Sequence, residues 1–364
     1  MVAAGAAANL AVGTLFAWSL VAQDAAADVG LSAGGAAGVF ATAIVVFSAV
    51  LLGLGPLQRR AGPRRLLVAA AALAAAGLLL AASAASPAVL WVGFAGLFGA
   101  ANGLGYGVAV GLPARVAHRR GTATGIVVAA YAAGPVLLGL VAPAAISVAG
   151  WRTCLAVLAL PVTALLALAA VLAPGEPAGT GRPRTTPAPR RPVVLLWLVF
   201  AGGCAPGLAL FAQAAPLAAD RGTQAAALAV AALGAGNLVG RLVAGWWSDR
   251  VGRLAALGTA LAIGAVAIGC LLGPAAVVLA GFLGSGLAYG AVSALVPALT
   301  ADRVGAAAFP AAYGRVFTGW GAAGLLAPVA GAWLFGLADP ALLLAALPLV
   351  PAGLAVLLLA RREP

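Results

Sequence analysis

The chain has 364 residues, 64% of them hydrophobic and 8% charged, with a formal net charge of +12 and a mean hydropathy of +1.12. A soluble domain carries about 25% charged residues, so a water-borne fold is excluded, and with it a folded platform for nucleic acid. All twenty basic residues are Arg, and the three cysteines, Cys154, Cys204 and Cys270, show neither metal-ligand nor disulfide spacing.

Apolar runs follow one another from the first residues, each near the roughly 20 residues that cross a bilayer. They lack the alternation of a barrel strand and are predicted to be helices. In chain order the spans are 4–22, 32–54, 66–84, 88–112, 121–143 and 152–173, then 193–215, 224–246, 254–273, 275–298, 311–336 and 340–360. The first begins almost at Met1 without a basic leader and is followed by further spans, so it reads as a membrane helix and not a cleaved signal. The segment 174–192, APGEPAGTGRPRTTPAPRR, is too rich in Pro, Gly and Arg to bury a core and is predicted to be a flexible linker. The fold class predicted is an all-α membrane protein: twelve transmembrane helices in two pseudo-symmetric six-helix bundles, 1–173 and 193–364. Arginines cluster in alternate loops, as at Arg59, Arg60, Arg64 and Arg65, at Arg115, Arg119 and Arg120, and in the linker. The positive-inside rule places these loops in the cytoplasm. Both termini are then expected there too, with the protein in the cytoplasmic (inner) membrane.

The two blocks repeat each other. GLGYG at 103–107 is matched by GLAYG at 286–290. The loop from Gly55 to Gly62, GPLQRRAG, is matched by GWWSDRVG from Gly245 to Gly252. Duplicated halves around a midplane site are typical of secondary transporters.

The stretch GWWSDRVGR (245–253) resembles the signature G-x-x-x-D-R-x-G-R of the major facilitator superfamily, which joins the second and third helices and recurs between the eighth and ninth. The resemblance implies a gating motif of Gly245, Asp249, Arg250, Gly252 and Arg253. Gly245 allows close helix approach, Gly252 a tight turn, and Asp249 a place near a helix N-terminus or opposite an Arg. In the first copy Arg59 stands where Asp249 stands in the second. Three fragments, NLAVGTLFAWSL (9–20), GLGYGVAVGLPARVAHRRGTATGI (103–126) and ALTADRVGAAAFPAAYGRVFTGWGAAG (298–324), resemble the oxalate/formate antiporter family, relatives of the monocarboxylate transporters. What this implies is a secondary transporter of small organic anions working by alternating access.

Arg241, in NLVGRLVAG, matches the eighth-helix arginine that binds substrate carboxylate in that family. A guanidinium offers a planar fork to a carboxylate and keeps its charge. A second reading also stands: Arg241 lies close enough to the cytoplasmic loop to snorkel or to pair with Asp249. Asn237 lies one turn earlier on the same face. Arg315, one turn into the eleventh helix, reads as a snorkelling or gate residue. Trp320 occupies the place of the oxalate transporter's second cation, a lysine, and this departure suits a monocarboxylate. The lysine that monocarboxylate transporters carry in the first helix is also absent. Tyr106, Tyr131 and Tyr289 match aromatic positions that line the family's cavity, and Trp18 matches a further one; packing or an interfacial belt is the other reading of each. Trp91, Trp151 and Trp333 read as belt or packing residues. Gln213 and Asn102 either line the cavity or bond between helices. Gly134-Pro135 and Pro328 with Gly331 resemble the family's bends.

Acidic residues fall only at span ends and loops, so a carboxylate proton relay inside the membrane is not expected. His118 reads as a solvated loop residue. Nothing in the sequence suggests an enzyme, a cofactor or a metal site. The expected partners are a small carboxylate and the lipid bilayer, with no nucleic acid and a monomeric chain. A drug or metabolite efflux pump of the same superfamily, or a membrane sensor that does not transport, are the alternatives.

Overall fold

The computed structural model describes residues 1–175, 189–220, 226–335 and 344–361. Most of the linker expected at 174–192, the first residues of the last expected span, and the side chain of Trp333 lie outside the described residues. Among the described residues every regular element is helical, which is how an apolar backbone satisfies its own polar groups in lipid.

Helix α1 comprises Val2–Gly13, a 3-10 turn at Thr14–Ala17, and Trp18–Val29. Helix α2 is Ala33–Leu52, started by Ser32, whose Oγ accepts from the Gly35 amide at 3.1 Å. The helix Leu54–Ala82 breaks at Gly62, where φ is 68°, and α3 is its membrane part, 63–82. Helix α4 joins Pro87–Leu90, a π-helical stretch at Trp91–Phe98, and Gly99–Gly111.

The next helix, Arg120–Leu172, has 53 residues. As one rod it would measure about 80 Å, against a hydrocarbon core of about 30 Å. Gly150, at φ 76°, divides it into α5 (120–149) and α6 (151–172). Then come α7 (Arg190–Asp220), α8 (Ala226–Val251) and α9 (Arg253–Cys270), with Gly252 at φ 90° between the last two. Ala275–Phe335, 61 residues long, divides at Gly305 (φ 74°) into α10 (275–304) and α11 (306–335). Helix α12 is Leu349–Ala360. Positive φ costs an L side chain a clash between Cβ and backbone, and glycine escapes it. Arg119, at φ 53°, is the one non-glycine in this conformation among the described residues, and it immediately precedes α5.

By length and composition, eight continuous helical stretches among the described residues, counted before their glycine breaks are divided, suit a bilayer crossing, nine with the bent α1. Dividing the two long helices at their glycines, and adding the short α12, accounts for the spans expected from sequence. Helix ends differ: α1 continues to Val29, and α7 begins at Arg190 and runs on to Asp220.

The helices pack as two compact units. The first holds Met1–Arg115, Ala130–Thr186 and Ala306–Gly314; the second holds Val116–Ala129, Pro187–Gly305 and Arg315–Pro364. The start of α5 thus packs with the second unit, and the start of α11 with the first. In the first unit Asp28, near the end of α1, accepts from Trp151 Nε1 at 2.8 Å and pairs with Arg152, which also donates to the Ala84 carbonyl at 2.8 Å. These bonds pin α1, α3 and α6 at one end.

Candidate functional site

In the second unit α8 lies against α10 with almost nothing between the backbones. A Cβ on Gly240 would stand 2.3 Å from the Leu287 carbonyl oxygen, and one on Gly236 would stand 2.2 Å from that of Leu283. This approach buries the next polar residue of α8. Arg241 is 5% exposed. Its Nε donates to Asn237 Oδ1 at 2.9 Å and its Nη1 to the Val128 carbonyl on α5 at 2.9 Å. Its Cζ lies 5.9 Å from the Tyr289 ring centroid, within cation–π range. Among the described residues no ion pair includes Arg241. The guanidinium therefore neither reaches Asp249 nor turns to the surface, and neutral oxygens hold it. Tyr289 accepts at its hydroxyl from Trp320 Nε1 at 3.0 Å, and Phe211 and Phe317 pack edgewise and tilted beside these rings. Arg241, Asn237, Tyr289 and Trp320 thus form one contiguous group.

Two of the other aromatic residues come together in the first unit. The rings of Tyr106 and Tyr131 lie 4.9 Å apart, with Phe47 beside both. The Tyr131 hydroxyl donates to Asn102 Oδ1 at 3.2 Å, and the hydroxyls of Tyr106 and Tyr313 lie 3.2 Å apart. Trp18 is occupied elsewhere: its Nε1 donates to the Ala36 carbonyl at 3.1 Å, and its ring packs on Phe94.

The gating residues form a second constellation in the second unit. A Cβ on Gly245 would meet the Gly121 carbonyl oxygen at 2.5 Å and the Gly125 Cα at 3.0 Å, so α8 touches the start of α5. Asp249 accepts from the amides of Gly121 (2.9 Å) and Thr122 (2.7 Å) and from Thr122 Oγ1 (2.7 Å). A carboxylate there satisfies donors that a helix start leaves open and complements its dipole. Arg253 joins Asp249 at 2.8 Å to Asp302 at 3.1 Å, and Asp302 also pairs with Arg120. Arg250 stays out of this network: it is exposed, stacks 3.8 Å over Trp246 and donates to that residue's carbonyl at 3.3 Å. Arg315 and His118 are also exposed.

The major facilitator superfamily model matches residues 2–221 and again residues 205–364. The chain belongs to the major facilitator superfamily. No curated protein sequence matches it. The fold is similar to a crystal structure of a bacterial homologue of the iron transporter ferroportin, outward-facing with soaked iron (TM-score 0.75, 15% identity, 100% of both chains covered). It is similar to the E. coli fucose:proton symporter FucP (TM-score 0.70, 14% identity, 99% of this chain and 98% of that one). It is also similar to the proton:xylose symporter XylE bound to 6-bromo-6-deoxy-D-glucose (TM-score 0.67, 15% identity, 97% and 94%). At such identities the likeness is one of fold.

As a major facilitator superfamily member the protein is a multi-pass membrane transporter and not an enzyme. Sequence reasoning missed four parts of these constellations: the Val128 carbonyl, Thr122, Asp302 and Tyr313. Asp302 and Tyr313 lie inside the family-like stretch 298–324 and were open to notice. A peptide oxygen such as that of Val128 leaves no mark in a sequence.

Proposed function

We propose that the protein is a secondary active transporter that moves a small organic anion, a monocarboxylate or a molecule like oxalate or formate, by alternating access across the cytoplasmic membrane. The observation that carries this reading is the setting of Arg241, a guanidinium only 5% exposed whose bonds go to an amide oxygen and a peptide oxygen. An arginine within a span costs about 2.5–3.5 kcal/mol on insertion scales. Neutral partners leave that charge uncompensated, and a carboxylate cargo would compensate it with two parallel hydrogen bonds. Asn237 then positions the guanidinium. Tyr289 and Trp320 supply an aromatic wall in place of a second cation, which favours one carboxylate over two. Tyr106 and Tyr131 are proposed as further cargo-contacting residues. The cap that Asp249 makes on α5, with Arg253 bridging to Asp302, supports a latch that holds one conformation and parts in the other. The Arg-rich connections support cytoplasmic termini.

The test is counterflow of labelled mono- and dicarboxylates into proteoliposomes. Loss of a charged hydrogen-bonding partner is expected to lower uptake by Arg241→Gln at least about tenfold. Arg241→Lys, which keeps the charge without the planar fork, should retain part of it. Undiminished acid transport by Arg241→Gln, or carriage of neutral amphiphiles and not of acids, would overturn the assignment and favour the efflux-pump reading.

A further inference from the structure

We infer that the first unit holds a binding cleft for one acyl chain of a membrane phospholipid, separate from the anion receptor. The cleft begins where α5 passes Pro135. Proline has no amide hydrogen, so the Tyr131 carbonyl loses its helical donor. That carbonyl lies against the bare Cα of Gly13, where a Cβ would stand only 2.1 Å from it. Beyond this point α5 barely packs. From 136 to 149 only Leu138, Ala142 and Ile146 are half-buried; their neighbours are exposed, Leu140 at 76% and Val148 at 89%. Residues four apart share one helix face, and these three line an open apolar cleft.

The remaining walls are as irregular as the first. α1 contributes Thr14 and Trp18 from its 3-10 turn and just beyond, and α4 contributes Phe94 and Phe98 from its π-helical stretch. Departures from α-geometry in long helices have local causes and often mark function. Here three of them converge on one cavity, and α6 closes it with Cys154 and Leu155. The cleft offers its occupant carbon. Thr14 Oγ1 is already donating to the Ala11 carbonyl at 2.6 Å, and Trp18 Nε1 to that of Ala36 at 3.1 Å. Water needs two or more polar partners to stay in a cavity, and these are committed. An empty cleft would forfeit dispersion contacts along its whole lining. The bare flanks of α5, rich in Leu and Val, belong in hydrocarbon, so the mouth opens toward lipid tails.

Trp18 is 5% exposed, so a lipid tail reaches its ring by way of the cleft. The experiment compares wild type and Trp18→Phe in vesicles of ordinary phosphatidylcholine and of phosphatidylcholine brominated mid-chain, a contact quencher of tryptophan. The fluorescence that Trp18 adds is expected to be largely lost in the brominated lipid, and to return when Ala142→Phe fills the cleft. Equal Trp18 fluorescence in the two lipids would overturn the inference. Should Trp18→Phe not fold, Cys154 is the second reporter, in a background with Cys204→Ala and Cys270→Ala. Its alkylation by an apolar maleimide in detergent should slow when diacyl phospholipid is added, and an unchanged rate would overturn the inference equally. Neither readout depends on which cargo is carried.

Discussion

At Tyr131 a single hydroxyl reaches a buried acceptor on the neighbouring helix. Asn102 is fully buried on α4, and its Oδ1 receives the Tyr131 hydroxyl at 3.2 Å while its Nδ2 has no partner among the described residues. Tyr131→Phe keeps the ring and its contacts with Tyr106 and Phe16 but strands that oxygen. Interhelical hydrogen bonds in membranes contribute about 0.6 kcal/mol on average and up to about 1.7, and a stranded polar group adds to the loss. Thermal unfolding in detergent should therefore show a drop of about 1 kcal/mol, and a melting curve equal to wild type would mean the bond contributes nothing. Arg241 was the more legible residue, because a charge inside an apolar run has few possible reasons. Two readings of it stood on the sequence, a carboxylate-binding residue and one that snorkels or pairs with Asp249, since span length alone does not say which way a long side chain turns. The close approach of α8 to α10 at Gly236 and Gly240 decides for burial.

Among elements, the repeated halves make the helix starts comparable. Gly62 precedes α3 and Gly252 precedes α9, both at positive φ. The start of α11 has Gly305 at φ 74°, while the start of α5 has Arg119 at φ 53°. Arginine carries a Cβ into a conformation that costs about 1–2 kcal/mol. Arg119→Gly should relieve this and stabilise the fold by up to about 1 kcal/mol, the remainder going to glycine's greater freedom when unfolded. A rise in melting temperature checks it; a fall would show that the Arg119 side chain contributes more than its backbone costs. The same comparison shows why part of the element structure stayed hidden. Helix breaks at glycine are written in the sequence, and the GWWSDRVGR turn was read from it. The 3-10 turn of α1 and the π-stretch of α4 change the hydrogen-bond register within uniformly apolar segments, and no residue type announces either.

For the whole molecule, hydropathy and arginine placement carried most of the reading. Twelve spans were expected, and the family model matches residues 2–221 and 205–364, which together cover almost the whole chain. The composition of the packing units was not legible, because the starts of α5 and α11 join their units through backbone contacts such as Gly121 on Gly245 and Gly55 on Ala311. The arginine distribution also makes a topological prediction. Ser83 and His118 are both exposed and lie in successive connections. With the native cysteines replaced, Ser83→Cys should react with an impermeant maleimide on intact cells, and His118→Cys only after the membrane is opened. The reverse pattern would invert the orientation.

The oxygen that faces Arg241 from α5 belongs to the main chain. Every amino acid at position 128 presents the same acceptor, so natural variation there can reshape bulk without silencing the contact. Only a displacement or rotation of the helix can withdraw it. The resting place of this cation is thus insulated from drift at the facing position and answers to movement of the backbone alone.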